Sequence, residues 1–236
     1  MRKKRNPANG YSLVELLVAT VLFTIIAGSV FSLLFSAQLR YRGESDVTTA
    51  FQQANVAIDQ ITRDVHSAGY PPPNSFAAGV LLGNPALMAV PFSWSSGYPN
   101  TPCTVGSSGC GTVPGDYDLI LETDVGDGKG VQWIRYSLDG TTLKRGILPK
   151  SASDPVSSTS GVDVLVPYLD NVLNGSRGVA IFSYSGDVNS VGPLLSSDIQ
   201  KVDIKLIVQS AEPDPQTHQF RTITLTGQAV CFNPNY

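Results

Sequence analysis

A single carboxylate, Glu15, lies near the start of a long apolar segment. From Tyr11 to Phe35 the chain has no other side chain that is charged at neutral pH. A carboxylate in a membrane helix costs roughly 2.5–3.5 kcal/mol at the bilayer centre and less near the interface, so it calls for a functional partner. If the chain is cut after Gly10, the new α-amino group of Tyr11 lies four residues from Glu15 and becomes a candidate partner.

Pairing of this amine with Glu15, in the same chain or in a neighbour, would neutralise two charges in an apolar environment. In a stack of such helices it would also fix the axial register. The alternative is a carboxylate that rests at the membrane interface, where the positive end of its own helix favours it. Taken alone, Glu15 leaves both interpretations open.

No other group of side chains forms a catalytic or cofactor-binding signature. The glycine-rich segment 126–130 lacks the Gly-x-x-x-x-Gly-Lys-Ser/Thr pattern and a following helix, which indicates a turn. Asp124 and Asp127 could contact calcium, but a specific loop offers more oxygen ligands at regular spacing. His66 and His218 have no matched nucleophile. We therefore predict no enzyme activity, no catalytic residue, no cofactor and no metal.

The three cysteines are Cys103, Cys110 and Cys231. A disulfide between Cys103 and Cys110 would close a small Gly/Ser-rich loop if the part of the chain after the apolar segment lies in an oxidising compartment. The sequence leaves its formation open. Zinc is disfavoured because it needs about four ligands and both histidines are far away in sequence. Cys231, on an apolar strand-like segment, is predicted to be a small buried residue.

The apolar segment has the length of a membrane span. As a helix at about 1.5 Å per residue, residues 11–35 reach about 37 Å, and a hydrocarbon core is about 30 Å thick. The basic cluster at residues 2–5 favours a cytoplasmic N-terminus and an extracytoplasmic head. An ordinary signal peptide is the alternative, with small residues at 27–29 and 36–37 as cleavage candidates.

The net charge of −3 argues against a direct nucleic-acid partner.

The remaining chain predicts an α+β fold, in which a long N-terminal helix packs on an antiparallel β-sheet head. Helical spacing of apolar residues continues to Ser67, and Ala68-Gly69-Tyr70-Pro71 ends the helix. Trp133 and Tyr136 are expected to divide between core and solvent. The predicted divisions are a leader at 1–10, a membrane helix at 11–35, an amphipathic helix at 36–68 and a β-rich head at 69–236.

Seven strand-like segments follow the helix, and Asp139-Gly140 marks a hairpin turn between the second and the third. The alternation of polar and apolar residues indicates strands with one buried face. The predicted strands are Tyr117–Thr123, Gln132–Leu138, Thr142–Ile147, Val162–Val166, Val179–Tyr184, Val202–Gln209 and Phe220–Phe232.

The segment Gly10-Tyr11-Ser12-Leu13-Val14-Glu15-Leu16-Leu17-Val18, after a basic leader, resembles the type III signal of type IV prepilins and type II secretion pseudopilins. The resemblance implies cleavage by prepilin peptidase between Gly10 and Tyr11 and N-methylation of Tyr11. It makes Glu15 the fifth mature residue and a candidate for subunit assembly. Tyr11 replaces the usual phenylalanine and remains aromatic.

A looser resemblance, by pattern rather than by strict motifs, covers most of the chain. The segments Ile61-Thr62-Arg63-Asp64-Val65, Ala68-Gly69-Tyr70-Pro71 and Leu143-Lys144-Arg145 are similar to those of the minor pilins named PilW and the J-type pseudopilins. This implies a minor pilin or pseudopilin, in initiation or at the tip of a type IV pilus or a type II secretion pseudopilus.

The implied partners are prepilin peptidase, other pilins or pseudopilins, an inner-membrane assembly platform, and membrane lipid before assembly, with the motor ATPase acting indirectly. The implied location is the inner membrane, with a single span, and then the pilus or the periplasmic pseudopilus. One alternative is a membrane-anchored extracytoplasmic binding protein that is never built into a filament. A membrane-tethered hydrolase is the other, and it would need a clustered catalytic set.

Overall fold

The computed structural model describes residues 11–77, 79–80, 84–92, 103–106, 116–150, 165–186 and 192–233. Within these ranges one long helix is followed by seven strands in two antiparallel sheets, and the helix packs on both sheets. The predicted α+β class is confirmed. Gly10, Cys110 and residues 162–164, for which the sequence makes predictions, lie outside the described residues.

The long helix α1 (Leu13–Ser67) is continuous from the apolar segment into the head. It ends where the Ala68 N–H bonds to the Val65 carbonyl at 3.2 Å. At Gly69 the backbone takes a φ of +79°, and its N–H donates to the Glu122 carbonyl at 2.8 Å. A Cβ at Gly69 would lie 2.8 Å from the ring of Pro91, so glycine is required there both for conformation and for space.

The first sheet is a meander of β1 (Asp118–Asp124), β2 (Val131–Asp139), β3 (Thr142–Pro149) and β4 (Val166–Leu169), in that order. Asp139 pairs with Thr142 across a two-residue turn, which confirms the hairpin that Asp139-Gly140 predicts.

The second sheet is a meander of β5 (Phe182–Gly186), β6 (Ile199–Gln209) and β7 (Thr222–Val230). It joins the first sheet near the start of β1, because the Asp116 carbonyl accepts from the N–H groups of Ile181 and Phe182 at 2.7 and 3.1 Å. β7 lies at the edge of this sheet.

The core lies between α1 and the two sheets. The inner face of α1 carries the fully buried Ala54, Ile61 and Val65. Gly227 of β7 lies against Ile58, where a Cβ would overlap the Ile58 Cγ2. The lack of a side chain at 227 therefore sets how closely helix and strand approach.

The expectation that Trp133 and Tyr136 divide between core and solvent is wrong, since both are fully buried. Tyr136 faces α1, where its hydroxyl donates to Asp64 at 2.5 Å. Trp133 points to the other face of β2, where its Nε1 donates to Glu122 at 2.6 Å. The segment 84–92 covers this second face through bonds to Glu122 and Lys150, so β2 is buried on both sides.

Candidate functional site

Glu15 takes part in the cap that begins α1. Its Oε2 accepts from the Ser12 N–H at 3.0 Å, and the Ser12 Oγ accepts from the Val14 N–H at 3.4 Å. This reciprocal capping box satisfies two donors that the first helical turn leaves without partners. Within the described residues the Glu15 Oε1 accepts no hydrogen bond, so one carboxylate oxygen stays available to a further donor.

The apolar part of α1 has no partner within the described chain. Its large side chains are well exposed, among them Leu13 at 80%, Phe23 at 71% and Phe35 at 64%. The head begins to cover the helix only at Gly43, against which Pro215 packs. By length and composition α1 is apolar enough to cross a membrane. Such a continuous apolar surface requires lipid or other helices around it.

Three hydroxyl groups of this segment form hydrogen bonds within the helix. Thr20, Thr24 and Ser29 donate to the carbonyls of Leu17, Val21 and Ile25 at 2.8–2.9 Å. In an apolar environment an unsatisfied hydroxyl is costly, so these internal bonds suit a helix surrounded by hydrocarbon.

Residues 5–31 match the model of the prokaryotic N-terminal methylation motif. The matched motif indicates a type IV pilin-like precursor. The motif implies processing by prepilin peptidase and assembly with other pilins, and it spans both Glu15 and the exposed apolar surface described above. It points to a structural subunit rather than an enzyme. No curated protein and no solved structure matches the chain.

Ion pairs of Arg221 fasten the head to α1 at the point where the helix leaves the head. Arg221 donates to Glu44 at 2.8 Å and to Asp214 at 2.5 Å. Backbone N–H bonds from Gln216 and Thr217, followed by Arg221, lower the pKa of Asp214 below its ordinary value. These contacts bring the loop before β7 against the helix. No sequence pattern predicted them.

A second ion pair fastens α1 to the first sheet deeper in the head. Arg145 Nη2 donates to Asp64 at 2.8 Å, and the Tyr136 hydroxyl donates to the same carboxylate oxygen. Burial, and then the negative charge of Asp64, raise the pKa of Tyr136 well above its ordinary value. The phenol therefore stays protonated and acts as a donor to the carboxylate.

A third ion pair, which is fully buried, joins Lys150 Nζ and Glu122 Oε2 at 2.7 Å, with neither side chain exposed to solvent. The Trp133 Nε1 and the Val90 N–H also donate to Glu122, while Lys150 donates to the Met88 carbonyl. No substrate can reach a pair without solvent access. Its contacts indicate a structural clamp that holds segment 84–92 on the sheet.

The other candidate residues do not come together as a site. Asp124 accepts from the Gly126 N–H, and Asp127 accepts from Lys129 and Gln132, so both carboxylates stabilise their own turn. The described residues contain no cluster of three or more His, Cys, Asp or Glu side chains that could hold a metal.

His66 and His218 lie apart, and in the described part of the chain neither contacts a catalytic partner. His66 contacts the ring of Phe232 at a centroid distance of 4.7 Å, and His218 has a φ of 54° in the turn that Asp214 stabilises. Cys103 is disulfide-bonded, whereas Cys231 is free and buried. The prediction for Cys231 is thus confirmed.

Proposed function

We propose that the chain is a minor pilin or pseudopilin of a type IV pilus or a type II secretion pseudopilus. Prepilin peptidase cuts between Gly10 and Tyr11 and methylates the new terminus at Tyr11. The mature chain is then drawn from the membrane into a helical filament, in which residues 11–35 form the core. The head carries the surfaces that select partners.

One observation carries this proposal. The methylation motif at residues 5–31 coincides with an apolar helical surface that the described head leaves uncovered. A simple anchor accounts for the apolar surface, and it leaves Glu15 only the capping of its own helix. A filament core accounts for both, because helix packing replaces lipid contact and Glu15 finds a positively charged partner.

We assign that partner to the α-amino group of Tyr11 in a neighbouring subunit. Oε2 of Glu15 already accepts from Ser12 in the capping box, and Oε1 accepts nothing within the described residues. A terminal amine can therefore bond Oε1 without dismantling the helix start. Opposite charges within about 4 Å attract strongly when water is excluded, so the pair would align the subunits along the filament axis.

Before assembly, membrane lipid surrounds the apolar half of α1. The basic residues 2–5 place the N-terminus in the cytoplasm and the head outside it. The further partners are other pilins or pseudopilins and an inner-membrane assembly platform, with the motor ATPase acting through that platform.

The minor-pilin part of the proposal rests on the resemblance to PilW and the J-type pseudopilins. Asp64 and Arg145, which lie in two of the resembling segments, bond each other in the core. The resembling segments therefore include residues that fasten the helix to the sheet, while the role in initiation or at the tip rests on the resemblance alone.

We also propose Cys110 as the disulfide partner of Cys103. Cys103 is bonded and Cys231 is free. The strand-like segment at Cys103 is held against Ser196, whose N–H donates to the Cys103 carbonyl at 2.8 Å. A disulfide also agrees with a head that lies in an oxidising compartment.

Incorporation into filaments tests the proposal. Glu15→Gln keeps an acceptor for the Ser12 N–H but removes the charge, and Glu44→Gln is the matched control on the same helix. With the assembly machinery present, we expect Glu15→Gln to be cut normally and its recovery in sheared filaments to fall about tenfold or more, equivalent to about 1.4 kcal/mol. Normal recovery of Glu15→Gln would instead favour the membrane-anchored binding protein.

A further inference from the structure

The outer edge of β7 presents a row of unpaired backbone groups. The Ser210 N–H donates to the Arg221 carbonyl and the Cys231 N–H to the Gln200 carbonyl, both at 2.8 Å, so the odd-numbered residues of β7 face β6. The even-numbered residues therefore direct their N–H and C=O groups away from the sheet. In the described part of the chain these groups have no hydrogen-bond partner, and all five residues are exposed: Thr222, Thr224, Thr226, Gln228 and Val230.

This edge has none of the features that commonly protect an edge strand. β7 contains no charged residue and no proline, and it pairs with β6 over nine residues without a register shift. β4, an edge strand of the first sheet, differs because it has four residues, includes Pro167 and pairs irregularly near Leu143. Short strands, prolines and bulges prevent pairing with other chains, whereas a long regular edge permits it.

Exposed apolar side chains surround the same edge. Phe220 and Phe232, just outside the two ends of β7, are 50% and 69% exposed, and Phe51 of α1 is 47% exposed. Phe51 lies seven residues from both Glu44, which bonds Arg221, and Ile58, which faces Gly227. Since residues seven apart share a helix face, Phe51 lies alongside the middle of β7.

The helix α1 runs parallel to β7. Glu44 contacts Arg221 at one end, and the Cys231 Sγ lies 3.6 Å from the Ala68 carbonyl at the other. The helix measures about 36 Å from residue 44 to residue 68, and the strand measures about 33 Å from residue 221 to residue 231. The two elements therefore have similar lengths and lie side by side. An antiparallel pair of two β7 strands would point the two apolar helices in opposite directions, which disfavours a second copy in the same membrane.

We propose that the outer edge of β7 binds an extended strand from a different protein chain. The uncharged edge selects a strand with polar, uncharged residues on the open face of the sheet. On the helix side, Phe51 selects apolar residues at alternate positions. Backbone hydrogen bonds to the five outward residues supply the affinity, as in other cases of strand addition.

The first test uses the full-length chain in detergent micelles with the probe peptide acetyl-Lys-Thr-Val-Thr-Val-Thr-Val-Thr-Lys-amide. We expect amide exchange at the outward residues, such as Thr224 and Thr226, to slow about tenfold or more. Exchange at Ile223 and Leu225, which already bond to β6, should not change. A peptide with proline in place of the central valine should have no effect. Binding without this alternating protection, or no binding, would overturn the proposal.

Substitutions at one position provide the second test. Thr224→Pro removes an outward N–H that bonds nothing in the described chain, whereas the matched control Thr224→Val keeps it. We expect the probe to bind the valine variant as it binds the original chain and to lose at least about tenfold in affinity for the proline variant. Equal affinities would overturn the proposal. A dimer of the chain alone that shows the same alternating protection would also overturn it, because the occupant would then be a second copy.

Discussion

Asp64 of α1 and Arg145 of β3 lie 81 residues apart in the chain and form an ion pair at 2.8 Å in the head. Their side chains are only 6% and 17% exposed. Tyr136 donates to the same carboxylate, so one oxygen joins the helix to two strands. This contact fixes the rotation of α1 on the first sheet, and with it the direction in which the apolar half leaves the head.

Removal of the carboxylate should therefore destabilise the head strongly. Asp64→Ala leaves Arg145 without its partner and the Tyr136 hydroxyl without its acceptor. Breaking a buried pair costs about 3–5 kcal/mol, and we expect a loss in this range in the free energy of unfolding measured by denaturant titration. The control is Asp139→Ala, which breaks the exposed pair with Lys144 and should cost far less, because solvent screens an exposed ion pair. Equal losses for the two variants would mean that the buried pair does not hold the helix.

The clamp between Glu122 and Lys150 allows a compensating test. Lys150→Met leaves a buried carboxylate without its ion-pair partner, and we expect a loss of several kcal/mol in unfolding free energy. Adding Glu122→Gln removes the buried charge, and the one amide oxygen that remains can accept from either Trp133 or Val90, so the double variant should recover part of that loss. Thermal unfolding measures the stability of the single and the double variant. A double variant less stable than Lys150→Met alone would contradict the assigned role of the charge.

Close packing of α1 on β7 predicts coupling between Gly227 and Ile58. Gly227→Ala introduces a methyl group into the space that the Ile58 Cγ2 fills, so this variant should be destabilised. In the presence of Ile58→Ala the same change should cost less, with a coupling energy of at least about 0.5 kcal/mol in a double-mutant cycle. Additive effects would show that the helix does not lie this close to the strand.

Cys231 should resist alkylation in the folded chain. Burial raises the pKa of its thiol to about 11, and only the thiolate reacts. At pH 8 the folded protein should therefore take up iodoacetamide at Cys231 far more slowly than the unfolded protein, whose thiol has a lower pKa. Mass spectrometry of the modified peptide measures the two rates. Rapid labelling of the folded chain would contradict its burial.

Local patterns in the sequence predicted the elements well. The helical spacing up to Ser67 and the turn signal at Asp139 both act over a few residues, and the structure has a helix or a turn at each. The antiparallel sheet was also predicted, although its strand ends shift by a few residues. β4 runs beyond the predicted Val162–Val166, since Pro167 argues against a strand and only an edge position tolerates it.

The long-range contacts could not be predicted in this way. Arg145 and Glu122 find their partners only after the chain has folded, and no spacing rule links positions so far apart. The error at Trp133 has the same origin, because alternation cannot show that segment 84–92 covers the second face of β2. For the candidate site, Glu15 was identified because a carboxylate in an apolar segment is unusual in itself.

Processing at the N-terminus tests the central claim most directly. The chain is expressed with a prepilin peptidase beside Gly10→Ala and Glu15→Ala variants, and its intact mass and N-terminal sequence are determined. We predict a mature chain that starts at N-methylated Tyr11, is lost with Gly10→Ala and is retained with Glu15→Ala. An uncut chain, or a chain cut between residues 27 and 37, would contradict the pilin-like precursor and the filament mechanism with it.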